Sequence, residues 1–128
     1  MTDYLDVADL LVIADRIAGG AAVVRDVGLL TGAAGRPATT WNGVEVYPTL
    51  DDKAAALLLS LVTDHALIDG NKRLGWVAVN VFFGLNGSGL RAPEDDAYDL
   101  VLAIAKGVVT DVSDVAEVLG SWREVPET

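Results

Sequence analysis

Cysteine is missing from this chain of 128 residues, and histidine occurs once, at His65. Without cysteine there is no disulfide framework, no thiolate-bound zinc and no thiol nucleophile. A single histidine excludes any site that needs two. Positive charge is also scarce. Nine Lys and Arg face 19 Asp and Glu, a net charge of -10 that both halves of the chain share. That balance speaks against a nucleic-acid binder, whose surface must be basic. A membrane-spanning run is lacking too. The longest uncharged stretch, Leu74 to Leu90, is interrupted by Asn80, Asn86, Ser88 and several glycines, and it reads as a buried helix rather than a span. The first residues, MTDYLDVADLL, carry acids where a secretory signal has a basic segment. The cytoplasm is therefore the expected compartment, with neither nucleic acid nor membrane as a direct partner.

What is present is apolar. Hydrophobic residues make up 52% of the chain, too many for intrinsic disorder. The length fits one domain, residues 1–128, that can bury a core without staples. Leu10, Ile13, Ala14 and Ile17 recur at helical spacing, which predicts a first helix over residues 7–17, stopped by Gly19-Gly20. Asp26 is placed to cap a short second helix that ends at Gly32 or Gly35. Residues 36–48 differ in kind. Pro37, the Asn42-Gly43 turn signal and the alternating Val44 and Val46 predict a small β-hairpin-like flap. Trp41 sits either at its exposed tip or folded back onto the core. Thr49 then reads as an N-cap, with Asp51 and Asp52 in the first turn of a helix reaching about Asp64.

The next helix is expected over residues 71–85. Leu74, Val77, Ala78, Val81 and Leu85 lie on one side of it, and Trp76, Val79 and Phe83 on another. A helix apolar nearly all round belongs at the centre of a domain. Two more helices follow, over residues 94–106 and from Asp111 or Ser113 to Gly120, before a tail, residues 124–128, expected to fray. The pattern is mostly α: a helical bundle around a buried central helix, with one β-like flap.

One segment carries chemistry: His65-Ala66-Leu67-Ile68-Asp69-Gly70-Asn71-Lys72-Arg73. It is the turn between two core helices, and it ends at a helix N-terminus. There the first backbone N–H groups have no intrahelical partner and the dipole is positive. Gly70 allows close approach to the backbone. Lys72 and Arg73 add two full charges where a cation opposes the dipole unless an anion offsets it. The combination suits phosphate. Asp69 beside phosphates suits Mg²⁺. His65, with an imidazole that ionises near neutral pH, suits a general base. A base, a metal carboxylate and a phosphate cradle in one turn point to phosphoryl or nucleotidyl transfer. Each residue taken singly has a plainer reading: His65 as a C-cap, Asp69 as an N-cap, Lys72 and Arg73 as a solvated pair.

The nine residues HALIDGNKR closely resemble the signature of the Fic/Doc superfamily. Its Fic members read H-x-F-x-(D/E)-G-N-G-R, and its death-on-curing toxins end in N-K-R. The segment VGLLTGAAGRPATTW, the stretch YPTLDDKAAALLLSLVTDH and the later GLNG extend the resemblance over most of residues 5–122. The fold so implied is the compact Fic/Doc helical bundle. The resemblance implies that His65 takes a proton from a hydroxyl of a target protein and that Asp69 holds Mg²⁺. Gly70, Asn71, Lys72 and Arg73 would bind the phosphates of ATP. The flap, with Trp41, Asn42 and Gly43 at its tip, would dock the target by strand addition.

Departures from the Fic pattern sharpen this. Leu67 replaces an aromatic, Lys72 replaces the second glycine and Trp76 replaces the second arginine. Leu67 is a tolerable apolar swap, while Lys72 and Trp76 favour the Doc-like branch, which the resemblance implies is a toxin kept in check by a cognate antitoxin and a protein kinase whose target class is elongation factor Tu. An adenylyl- or nucleotidyltransferase on the same site is the second reading, and an inactive protein-binding relative the third. Ser113 to Glu117 fits only the first part of the inhibitory helix of some Fic proteins, and reads as a helix cap.

Overall fold

Capping residues set where the helices begin. The computed structural model describes residues 1–124, which hold six α-helices and two small antiparallel sheets. Helix α1 (Val7–Ala18) starts at Asp6, whose side chain accepts from the Asp9 N–H, and stops at Gly19 in the left-handed conformation. Helix α2 (Val27–Gly35) is capped by Asp26 and runs into a short 3-10 turn, Arg36–Ala38. Thr49 and Asp52 form a reciprocal capping box at the start of α3 (Leu50–Thr63). Helix α4 (Asn71–Leu85) follows, then α5 (Glu94–Ala105) and α6 (Val112–Trp122), the last capped by Asp111. α6 runs past Gly120 to Trp122, further than the glycine signal predicts.

Strands β1 (Thr40–Trp41) and β2 (Val44–Glu45) form the expected hairpin, with Thr40 opposite Glu45 and Trp41 opposite Val44. Asn42 (φ 51°) and Gly43 (φ 77°) turn it, the left-handed pair that tight hairpins require. A second ribbon was not legible in the sequence: β3 (Gly89–Leu90) pairs with β4 (Arg123–Glu124). The frayed tail expected from Glu124 is therefore not seen at its first residue. Glu124 is paired, and residues 125–128 lie outside the described residues.

The helix at the centre is α3, not α4. Every residue from Lys53 to Val62 is buried. α4 buries Leu74, Gly75, Ala78, Val79, Phe82 and Phe83, but leaves Val81 and Leu85 exposed. The reason is geometric. α3 is surrounded by α2, α4, α5 and α6, whereas among the described residues the outer stripe of α4, with Val81 and Leu85, stays exposed. α3 and α4 meet closely at Gly75. A Cβ there would stand 2.8 Å from Val62 Cγ2 and 3.2 Å from Leu58 Cδ1. The contact predicts opposite outcomes at two glycines of one helix. Gly75→Val should cost about 3 kcal/mol through overpacking. Gly84→Ala, where a Cβ meets nothing within 4 Å, should stabilise by about 0.5–1 kcal/mol through helix propensity. Urea unfolding of the two variants checks both signs.

Candidate active site

The turn between α3 and α4 is fixed by contacts from three directions. α3 ends at Asp64, and His65 then takes a left-handed backbone, φ 54°. Ala66 and Leu67 dip into the core, and Leu67 is the apolar anchor of the loop. Gly70, at φ 90°, starts α4. First, the Asn71 side chain closes the loop on itself. Its Oδ1 accepts from the Leu67 N–H at 3.0 Å, and its Nδ2 donates to the Leu67 carbonyl at 2.9 Å. Second, the strand-like segment before α2 pairs with the loop. The N–H groups of Arg25 and Asp26 donate to the Ala66 carbonyl, and the Ile68 N–H donates to the Val23 carbonyl. Third, the Arg25 guanidinium reaches across: Nε donates to the His65 carbonyl at 2.7 Å, and a terminal nitrogen to that of Asp64 at 3.3 Å.

The start of α4 is electrostatically unlike the other helix starts among the described residues. α1, α2, α3 and α6 are capped by Asp6, Asp26, Thr49 and Asp111. α5 lacks a side-chain cap but carries Glu94, Asp95 and Asp96 in its first turn. α4 has neither a cap nor an acid, and its first turn holds Lys72 and Arg73, both exposed. Among the described residues neither forms an ion pair; those that do are Lys53–Glu45, Arg91–Glu124 and Arg123–Asp51. Unsatisfied N–H groups beside two cations with no ion pair among the described residues are the kind of arrangement that suits a polyanion. Gly70 is required here by its backbone angle. A Cβ would meet no atom within 4 Å, but φ 90° is a conformation that other residues adopt only under strain.

Two clefts open beside this turn. The first, about 480 Å³, lies between the end of α1, the loop after it and the motif turn. Its wall includes Ile17, Val23 and Leu67, with Asp69, Gly70 and Arg73 as the polar edge. The second, about 560 Å³, runs between α4 and α5, past Trp76, Tyr98 and Leu102, with Lys72 and Arg73 at its rim. Arg73 therefore borders both, while Lys72 faces the second alone. His65 is exposed at the opposite end of the turn and lines neither cleft. Asp69 is no N-cap: its Oδ1 accepts from the Gly70 N–H at 2.9 Å, and its Oδ2 has no partner among the described residues. No group of three or more His, Asp or Glu that could hold a metal occurs among the described residues. Asp69 is the carboxylate at this turn that could help to hold a divalent cation beside a bound phosphate, where the cation would supply positive charge.

The flap stands clear of the body. Trp41 is 74% exposed, so it does not fold back onto the core, and Asn42 and Gly43 are exposed beside it. Its base is held by residues that the sequence alone did not mark. The Arg36 guanidinium packs over the Tyr47 ring, donates to its hydroxyl at 3.0 Å, and reaches Ser60 Oγ on α3. Lys53 is 1% exposed, with Nζ donating to the Tyr47 carbonyl and paired to Glu45 Oε1 at 3.1 Å. A buried ammonium needs such partners. The available signal was a single basic residue at the head of an Ala/Leu run. Arg25 left no comparable trace. In α6 the cap is Asp111 and not Ser113, which lies at the second helical position and donates both its N–H and its hydroxyl to the Asp111 carboxylate.

Residues 4–83 match a family model described as the Fic/DOC family. The chain is also 47% identical to a protein named Toxin Doc from Mycolicibacterium smegmatis, over 130 aligned positions that cover 100% of this chain and 99% of that one.

Proposed function

Because this chain belongs to the Fic/DOC family, we propose that it is the toxin of a toxin–antitoxin pair and a protein kinase that moves the terminal phosphoryl group of ATP to a hydroxyl of a target protein. The observation that carries this reading is the bare N-terminus of α4, with Lys72 and Arg73 on it, at the end of a turn that His65 begins. His65 is the general base. Its imidazole, exposed and without a hydrogen-bond partner among the described residues, takes the proton of a Ser, Thr or Tyr hydroxyl as its oxygen attacks the phosphorus. The bond to the departing ADP breaks as the new P–O bond forms. The N–H groups that open α4 and the Arg73 guanidinium hold the phosphate oxygens and offset the charge that builds on them. Asn71 serves through its place in the backbone, because its side-chain amide is committed to Leu67. Mg²⁺, when bound at Asp69, supplies further neutralisation of the phosphates.

Phosphoryl rather than adenylyl transfer is favoured at two positions. Lys72 occupies the place of the Fic glycine that leaves room for the phosphate chain. Trp76, in place of a second arginine, packs edge to face on Trp122 at 6.3 Å and offers no charge. The exposed hairpin with Trp41, Asn42 and Gly43 is suited to dock an extended target segment by strand addition. Elongation factor Tu is the target class in this reading, and the cytoplasm the compartment. No helix among the described residues is long and apolar enough to cross a membrane. The antitoxin belongs on the groove between α4 and α5. An apolar segment with acidic flanks seated there would meet Trp76 and Tyr98 and cover Lys72 and Arg73, which would shut the anion site.

Intact mass spectrometry tests the reaction. After incubation with ATP, Mg²⁺ and this chain, purified elongation factor Tu should gain the mass of one phosphate group. A gain of one adenylate would transfer the reading to the nucleotidyltransferase. No gain, from a chain that still arrests growth, would overturn it.

A further inference from the structure

The left-handed backbone at His65 raises the question of what holds it. Such a φ is uncommon for a side chain of this size and persists only where neighbours over-determine it. α3 does not stabilise its own end: its last turn has no basic residue, although the carbonyls there carry partial negative charge. The missing cation comes from elsewhere in the chain. Arg25, 40 positions before His65, donates to the carbonyls of both Asp64 and His65. It is itself held in place, since its own N–H and that of Asp26 grip the Ala66 carbonyl at 2.7 and 3.1 Å. Asp26 in turn caps α2. Arg25 thus links the start of α2 to the two peptide groups that flank the base, with charge-assisted bonds.

We propose that Arg25 is a positioning residue: it fixes the main chain on either side of His65 and thereby aims the imidazole. It lines neither of the clefts that Arg73 borders. The proposal rests on the reading of His65 as the base. It separates two properties that a purely structural role would change together. Loss of the guanidinium should slow proton removal and leave nucleotide binding at the start of α4 intact, because Asn71 holds that half of the turn independently.

The test compares Arg25→Ala and Arg25→Lys with the unaltered chain. Thermal unfolding first confirms that each variant folds. The backbone carbon shifts of His65, the sole histidine, then report whether its left-handed conformation persists. Arg25→Ala should move these shifts toward averaged values and lower kcat by about a hundredfold, the scale of a small misplacement of a reacting group. The KM for ATP should change less than twofold. Arg25→Lys, which can still donate to one carbonyl, should recover part of kcat, and it carries the comparison if Arg25→Ala does not fold. Unchanged His65 shifts would overturn the proposal. So would an unchanged kcat, or equal losses in kcat and ATP affinity. Failure of the kinase reading looks different: the unaltered chain itself would transfer nothing, and the shifts alone would then decide whether Arg25 sets the geometry of His65.

Discussion

Replacing His65 with asparagine should abolish phosphoryl transfer and leave the fold as stable as before. Asparagine accepts a left-handed φ better than most residues, so the φ of 54° at this position is kept. The side chain is exposed and makes no hydrogen bond among the described residues, so no packing is lost. What disappears is the group that takes the hydroxyl proton. General-base catalysis of this kind is worth about 10²- to 10⁴-fold, and the loss should fall on kcat. ATP binding, seated at the other end of the turn, should persist. Parallel measurement of the melting temperature, nucleotide affinity and single-turnover rate separates these effects. A variant with full activity would remove His65 from the chemistry.

Asn71→Ala should show the opposite profile, with both stability and activity reduced. The amide joins two main-chain groups of Leu67, a residue buried in the core. Its removal leaves a buried N–H and a buried carbonyl without partners, at a cost of about 1–3 kcal/mol for each group that water cannot reach. The turn from Leu67 to Asn71 would lose its internal closure, and the N–H groups at the start of α4 would no longer be held against the phosphates. Transfer should fall about a hundredfold or more, with a weaker ATP affinity. Asn71→Asp is the informative companion. It retains an acceptor for the Leu67 N–H but loses the donor and places a negative charge at the anion site. Its unfolding free energy should lie between those of the alanine variant and the unaltered chain, and its ATP affinity should be the poorest of the three. Urea titration and nucleotide binding measure the two quantities.

The difference between these variants reflects what was legible in the sequence. Local rules predicted the capped starts at Asp26 and Thr49, a last helix beginning at Asp111 or Ser113, a turn at Asn42-Gly43, and the helix over residues 71–85, because each depends on residues a few positions apart. The candidate turn was legible for the same reason: its histidine, carboxylate and cations lie within one stretch of nine residues. The identity of the central helix was not. α4 has the broader apolar circumference, but α3 is the one that neighbours enclose, and only tertiary packing decides that. Lys53 obscured it further, since a charge on a helix normally marks a solvated face; here it is buried and reaches the flap. The bonds from the Asn71 amide to Leu67 were not legible, because residue type indicates what an amide can bond, not which partner it faces. The contacts of Arg25 and the β3–β4 ribbon join segments far apart in the chain, and no periodicity records them.

The central claim is that this turn moves a phosphoryl group, with His65 taking the target's proton. ATP labelled either at the γ-phosphate or at the α-phosphate decides it. With elongation factor Tu as acceptor, the unaltered chain should transfer label from the γ-labelled nucleotide alone, and His65→Asn should transfer almost none from either. Label arriving from the α-position, or equal transfer by the His65 variant, would contradict the account.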